Sequence, residues 1–267
     1  MRLSDAIDRL PYSGPEFEPG HVWLAGAGPG GIGCVTLDVV HALSRADAVV
    51  YDALVDPSLL RAAPDASLHF VGKRGGAPSF AQSHINALLI ELAKSGQRVL
   101  RLKGGDPNMF GRGGEEALEL SLAGVPFRFL PGVTSALGAL ADVNMPATMR
   151  GINKAIIFAT GHSAGENDDL DWAALAATGQ PIVIYMGMSN LELIAEALVA
   201  GGLPADTPAA VIMSATTPEE RIVTAGIADL PRRAREHGMG SPALIVVGDI
   251  VRMREEFMRP SRSGQTA

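Results

Sequence analysis

The chain has 267 residues, 47% of them hydrophobic and 5% aromatic, with a formal net charge of −7 and one cysteine. That length admits one large domain or two ordinary ones with apolar cores, and the composition excludes a disordered chain and a disulfide or thiolate-cluster framework. The acidic balance argues against nucleic acid as a partner, no stretch reaches the roughly 18 to 20 apolar residues of a membrane span, and no basic-then-apolar leader opens the chain, so a reducing cytoplasm is expected.

In chain order, residues 1–20 read as a peripheral extension: a short amphipathic piece, Leu3 to Leu10, followed by Pro11, Gly14, Pro15, Pro19 and Gly20. A strand is predicted over His21 to Ala25, a helix over Thr36 to Ser44, and strands over Ala48 to Tyr51 and Leu68 to Val71. A helix over Phe80 to Lys94 carries apolar residues at Ile85, Leu88, Leu89 and Leu92, which is helical spacing. Then come a strand over Arg98 to Leu102, a helix over Ala117 to Ala123, a strand over Phe127 to Leu130, and a helix opened by Thr134 and Ser135. Alternating strands and helices predict a mostly parallel sheet. A boundary is expected at 146/147, giving an N-terminal α/β domain over 21–146 and a C-terminal one over 147–254. In the second, strands are predicted over Ala155 to Ala159, Pro181 to Tyr185, Ala209 to Met213, Arg221 to Thr224 and Ala243 to Val247. Its helices are predicted over Leu170 to Ala177, Leu191 to Ala200 and Ile227 to His237, with Gly201-Gly202 as a helix stop. The last two strands are close enough to require one antiparallel edge. Residues 255–267 read as a disordered tail.

The stretch Leu102 to Glu116 stands out. Gly104, Gly105, Gly111, Gly113 and Gly114 fall in it, interleaved with Asp106, Arg112 and Glu115. Glycine lets backbone approach a ligand closely, and ligands of open α/β sheets bind beyond the carboxyl ends of strands. Gly26-x-Gly28-x-x-Gly31 also matches a dinucleotide fingerprint, with Asp52 where a ribose-binding acid would sit. Pro29 removes a backbone donor from that turn, and a second glycine loop is more than a dinucleotide fold needs.

A longer series is more specific. Gly26-Ala-Gly-Pro-Gly30, Val50-Tyr-Asp-Ala-Leu54, Gly72-Lys-Arg74, Leu102-Lys-Gly-Gly-Asp-Pro107, Phe110-Gly-Arg-Gly-Gly-Glu-Glu116, Pro131-Gly-Val-Thr-Ser135 and Ser241-Pro-Ala-Leu244 occur in this order. Together they resemble the uroporphyrinogen III C-methyltransferases of the tetrapyrrole methylase superfamily, over about Val22 to Arg254. The resemblance implies two α/β domains with the active site in the cleft between them, and a homodimer. It implies methyl transfer from S-adenosyl-L-methionine to C2 and C7 of uroporphyrinogen III, giving precorrin-2 for sirohaem, haem d1 or cobalamin synthesis, with S-adenosyl-L-homocysteine released.

By the same resemblance, Pro29, Gly104, Gly105, Asp106, Met109, Thr134, Ser135, Met186, Ala215 and Ala243 contact the cofactor. Arg112, Arg150 and Lys73 bind the substrate's carboxylates, and Glu115, Arg112 and Asp52 serve catalysis. Guanidinium groups suit bidentate carboxylate capture, and Glu115 or Asp52 could take the proton lost on methylation. Each residue also has a plainer role. Acids in a first helical turn, such as Glu115, favour the helix dipole. Asp52 suits a turn, Met186 core packing, Lys73 a solvated surface, and Cys34 a small buried side chain. No histidine spacing suits a metal. The chain departs from the family at Gly31 to Val35, where an acid and a proline are usual, at Met149 in place of histidine, and at Ser214 in place of asparagine. The alternatives are a superfamily member acting on a later corrin intermediate, an rRNA ribose or the diphthamide precursor, an NAD-dependent oxidoreductase, and a non-catalytic cofactor-binding protein.

Overall fold

The computed structural model describes residues 3–72, 81–162 and 170–259. They form two compact units, Met1–Gly28 with Ile32–Val133, and Pro29–Gly31 with Thr134–Ala267.

The first unit holds strands β1 (Val22–Gly26), β2 (Ala48–Tyr51), β3 (Ser67–Phe70), β4 (Val99–Lys103) and β5 (Phe127–Leu130) in the order β3-β2-β4-β1-β5. Every pairing is parallel, as the strand–helix alternation predicts. Its helices are α1 (Leu3–Ile7), α2 (Leu37–Arg45), α3 (Gln82–Lys94) and α4 (Gly113–Leu122). Successive strand residues face opposite sides. Trp23, Ala25, Val49, Leu100 and Leu102 therefore pack with Val39 and Leu43 of α2. Val22, Leu24, Val50 and Val99 pack with Ile85 and Leu89 of α3 and Leu120 of α4. Thr36 caps α2, its Oγ1 accepting from the Val39 N–H.

Strand order makes β1 and β4 neighbours whose outgoing chains turn to opposite faces, towards α2 and α4. Such a switch point opens a crevice at the strands' carboxyl ends. The loops after β1 and β4 lie there.

The second unit holds α5 (Ser135–Asp142), β6 (Ile157–Thr160), α6 (Trp172–Ala177), β7 (Ile182–Tyr185), α7 (Leu191–Ala200), β8 (Pro208–Met213), β9 (Arg221–Gly226), α8 (Leu230–Glu236), β10 (Ala243–Val247) and α9 (Ile250–Met258). Its sheet runs β6-β7-β10-β8-β9. Only β6 and β7 pair in parallel. The expectation of one antiparallel edge is corrected here: β10 enters the middle of the sheet reversed, antiparallel to β7 and β8, and β8 and β9 form a further antiparallel pair. The core joins Ile182, Ile184 and Ile245 to Trp172, Ile194, Leu198 and Leu230.

Three local differences have physical causes. α4 begins at Gly113, a turn ahead of the apolar stretch Ala117 to Ala123 and with Glu115 in its first turn as expected, because that turn is polar on the outside and closes on Arg112 O. The units part at Val133/Thr134, earlier than 146/147, because α5 packs on β10 and Thr134 bonds Tyr185. Residues Glu255–Met258 continue α9, whose Ile250 and Val251 are buried, while 260–267 of the expected tail lie outside the described residues.

Candidate functional site

In the first unit three strand ends meet backbone to backbone. Gly28 N–H donates to Gly105 O over 3.1 Å and Gly105 N–H to Gly28 O over 2.6 Å. A Cβ on Gly26 would stand 2.5 Å from Gly105 O and 2.6 Å from Gly132 Cα, and one on Gly104 would stand 2.6 Å from Leu54 Cβ. Gly26, Gly104 and Gly132 are therefore required by the chain's approach to itself, and Gly105 by its φ of 69°. The glycine pattern thus has a packing reason of its own. That reason also removes the dinucleotide fingerprint, since Gly26 and Gly28 are used against Gly132 and Gly105.

Asp106 braces the same knot. Its Oδ1 accepts from Asn108 N–H over 2.8 Å and its Oδ2 from Gly132 N–H over 3.0 Å. Half-buried Met109 follows, its N–H donating to Asp106 O. Beyond it Phe110 and Arg112 both take the left-handed conformation, at φ 51° and 59°. For non-glycine residues this is uncommon, and such strain collects at functional sites. Arg112 thereby directs its guanidinium back onto Glu115. Nε donates to Oε1 over 2.8 Å and Nη2 to Oε2, with both side chains more than half exposed. The Arg112 hydrogen bond holds the Glu115 carboxyl below the ordinary glutamate range, and Glu115 in turn raises Arg112. Glu115 is thus an ionised, outward-facing carboxylate at neutral pH.

Asp52 ends β2. Its Oδ1 accepts from Leu54 N–H over 3.1 Å, the turn role foreseen for it, and its Oδ2 lies 3.5 Å from Arg101 Nη2. Behind it is a cluster that pattern reading missed. Val99, Arg101 and Lys103 share one face of β4, the face covered by α3 and α4, and there Arg101, Lys103 and Glu116 are buried at 3%, 5% and 0% exposure. The signal was present as charges at alternate positions of an apolar strand.

In the second unit the sites gather at one end of the sheet, where β7 and β8 finish and β10 begins, with Leu244 opposite Tyr185 and Ala243 opposite Met213. Met186 follows β7 at φ 54°, exposed, and so is not the core residue its plainer reading suggested. After β8, Ser214 and Thr216 stand at φ 51° and 64° on either side of half-buried Ala215. Ser214 N–H donates to Pro242 O, Thr216 N–H to Glu220 Oε2, and Gly31 N–H to Thr216 Oγ1. Pro29 lies against Gly138 of α5, where a Cβ would come 2.5 Å from Pro29 Cγ. Thr134 and Ser135 open α5, and Tyr185 OH bonds Thr134 Oγ1 over 2.6 Å and accepts from Ala136 N–H. The unit thus brings together Pro29, Thr134, Ser135, Met186, Ala215 and Ala243 by these contacts and registers. Arg150 is exposed in a turn between α5 and β6, and Lys73 lies outside the described residues. Among the described residues no cluster of histidine, cysteine, aspartate and glutamate suits a metal, and no helix is long and apolar enough to cross a membrane.

The donor set fits a sulfonium nucleoside. Met186 is exposed after β7, Ala243 opens the neighbouring β10 and Ala215 follows β8 beyond it, and a polarisable thioether suits a purine face or sulfur. Comparison with known proteins agrees with this chemistry. Residues 21–231 match the model of the Tetrapyrrole (Corrin/Porphyrin) Methylases. A uroporphyrinogen-III C-methyltransferase of Sinorhizobium sp is 45% identical over 251 residues, covering 93% of this chain and 90% of the relative. A siroheme synthase of Gluconacetobacter diazotrophicus is 48% identical over 237 residues, and the chain spans 50% of that relative's length. The crystal structure of uroporphyrin-III C-methyltransferase from Thermus thermophilus, complexed with S-adenosyl homocysteine, superposes with a TM-score of 0.73 at 36% identity, covering 87% of this chain and 99% of that one. The chain belongs to the tetrapyrrole (corrin/porphyrin) methylase family.

Proposed function

We propose that this chain transfers methyl groups from S-adenosyl-L-methionine to C2 and C7 of uroporphyrinogen III, giving precorrin-2 for sirohaem, haem d1 or cobalamin synthesis. The observation that carries this reading is the strained loop after β4, which presents a paired, exposed Arg112 and Glu115. It stands beside the similarity to enzymes named for this reaction.

The cofactor supplies a methyl group already activated on a positively charged sulfur. What remains for the protein is to hold, aim and deprotonate. Gly104, Gly105, Asp106 and Met109 of the first unit, and Pro29, Thr134, Ser135, Met186, Ala215 and Ala243 of the second, are assigned to cofactor binding. Arg112, Arg150 and Lys73 are assigned to the substrate's carboxylates. An arginine offers five N–H donors. Glu115 takes Nε and Nη2 of Arg112, which leaves donors on Nη1 for a substrate carboxylate. Glu115 and Asp52 are assigned to the pyrrole N–H or the departing proton. Holding the acceptor carbon in line with the methyl group supplies much of the rate, because the donor needs no further activation.

We assign a homodimer and a cytoplasmic location to this reading as well. The test is anaerobic incubation with uroporphyrinogen III and S-adenosylmethionine. A mass gain of two methyl groups supports the assignment; an unchanged tetrapyrrole refutes it.

A further inference from the structure

Four charged side chains of the first unit form one continuous series of contacts. Glu116 on α4 is fully buried. Its Oε1 accepts from Arg101 Nε over 3.1 Å, Lys103 Nζ over 3.0 Å and Gln82 Nε2 over 3.1 Å. Its Oε2 has no hydrogen-bond partner among the described residues. Arg101 Nη1 donates to Val50 O and Leu102 O, which pins the guanidinium plane between β2 and its own strand. The remaining nitrogen, Nη2, reaches Asp52 Oδ2 at 3.5 Å, while Leu54 N–H holds Oδ1. One carboxylate on α4 thus sets the orientation of an arginine, and that arginine meets the carboxylate at the end of β2.

Net stability is a weak reason for such an arrangement. Desolvating ions costs as much as or more than their pairing returns, and well-packed apolar side chains of similar volume serve as well or better. The surrounding face is apolar, with Val50, Val99, Leu89 and Leu120 in its core. Burial also pushes the Lys103 ammonium below the ordinary lysine range, so its charge is held there at a cost. Two cations also converge on one oxygen of Glu116, an asymmetric arrangement for a pair that only stabilises. The asymmetry leaves Arg101 with a nitrogen directed at the strand end.

We propose that Arg101, Lys103 and Glu116 are positioning residues that fix the direction of the Asp52 carboxylate. Glu116, itself held by Lys103, locks the Arg101 fork, and Arg101 holds Asp52 against the Leu54 amide. The proposal rests on the functional reading above for what Asp52 then acts upon.

The experiment uses Glu116→Gln and the charge-balanced pair Lys103→Met/Glu116→Gln in the full chain. In the pair, the thermal midpoint is expected to return towards wild type while turnover stays down on the order of tenfold or more. The KM for uroporphyrinogen III and the affinity for S-adenosylhomocysteine are expected to hold within about threefold. Turnover that recovers together with the midpoint overturns the proposal, because a merely structural cluster behaves that way. A crystal structure of the paired variant supplies a readout independent of activity. Arg101 Nη2 is expected to leave Asp52, and a contact kept at its present distance overturns the proposal. If wild type leaves uroporphyrinogen III unmodified, the functional reading fails while the crystal structure still decides the positioning.

Discussion

The loop after β4 in the first unit and the strand ends of the second solve one geometric problem in two ways. Both turn the chain sharply at the carboxyl end of a strand. In the first, glycine turns the chain at the strand end itself, with Gly105 at φ 69° and Gly26 and Gly132 letting backbones touch, and positive φ at Phe110 and Arg112 comes only farther along the loop. In the second, Met186, Ser214 and Thr216 take positive φ with side chains attached. The last two are braced by Pro242 O, Glu220 and Gly31. Strain at a β-branched residue such as Thr216 persists only where surrounding bonds over-determine it. A turn made by glycine can be read from the sequence, whereas a turn made by bracing cannot.

The sharpest way to break this comparison is Gly132→Ala. Its Cβ would collide with Gly105 O and Gly26 Cα, both backbone atoms that cannot move aside. A loss of about 3 kcal/mol or more in denaturant unfolding is expected; a loss under 1 kcal/mol would show that the knot is slack. Next come Arg112→Lys and Glu115→Gln, which remove the fork or its partner from the exposed pair. Methyl transfer is expected to fall about a hundredfold in each, with S-adenosylhomocysteine binding nearly unchanged by calorimetry. Asp106→Ala releases Asn108 and Gly132 amides, and cofactor affinity is expected to drop about tenfold, read by the same titration.

In the braced unit the sign reverses. Ser214→Gly relaxes a strained φ of 51°, so stability is expected to rise by up to about 1 kcal/mol, whereas alanine at Gly105 should destabilise. Equal and negative effects at both sites would erase the distinction. The smallest effect concerns Glu220. Burial, together with Asp142, raises its carboxyl above the ordinary glutamate range. The folded chain therefore binds this proton more tightly than the unfolded one. Its contribution to stability is fully present at low pH and is lost as pH rises through the folded pKa. Glu220→Gln should flatten that slope in thermal midpoints measured against pH.

Most of the fold was legible because each strand is short, apolar and bounded by turn residues. Ala48–Tyr51, Phe127–Leu130, Ala243–Val247 and Leu191–Ala200 coincide with their predicted limits. The reversed insertion of β10 was not legible, since spacing along the chain carries no information about which neighbours a strand joins. At the site, the glycine pattern was visible but its meaning was not: packing of Gly26, Gly105 and Gly132 on each other emerges only once β1, β4 and β5 are side by side. Arg101 was passed over inside an apolar run, because a charge on the covered face of a strand looks, in one dimension, like a charge on the open one.

Pro29–Gly31 belong with the second unit although the chain on either side of them belongs with the first. Gly31 and Thr216 bond across 185 positions. A fragment beginning at Thr134 would lack the residues that pack on Gly138 and cap Thr216, and supplying a tripeptide in trans could not restore them at ordinary concentrations. During synthesis, these three residues leave the ribosome long before their partners exist. The second unit can be completed only after this short segment has waited for a partner made 185 residues later.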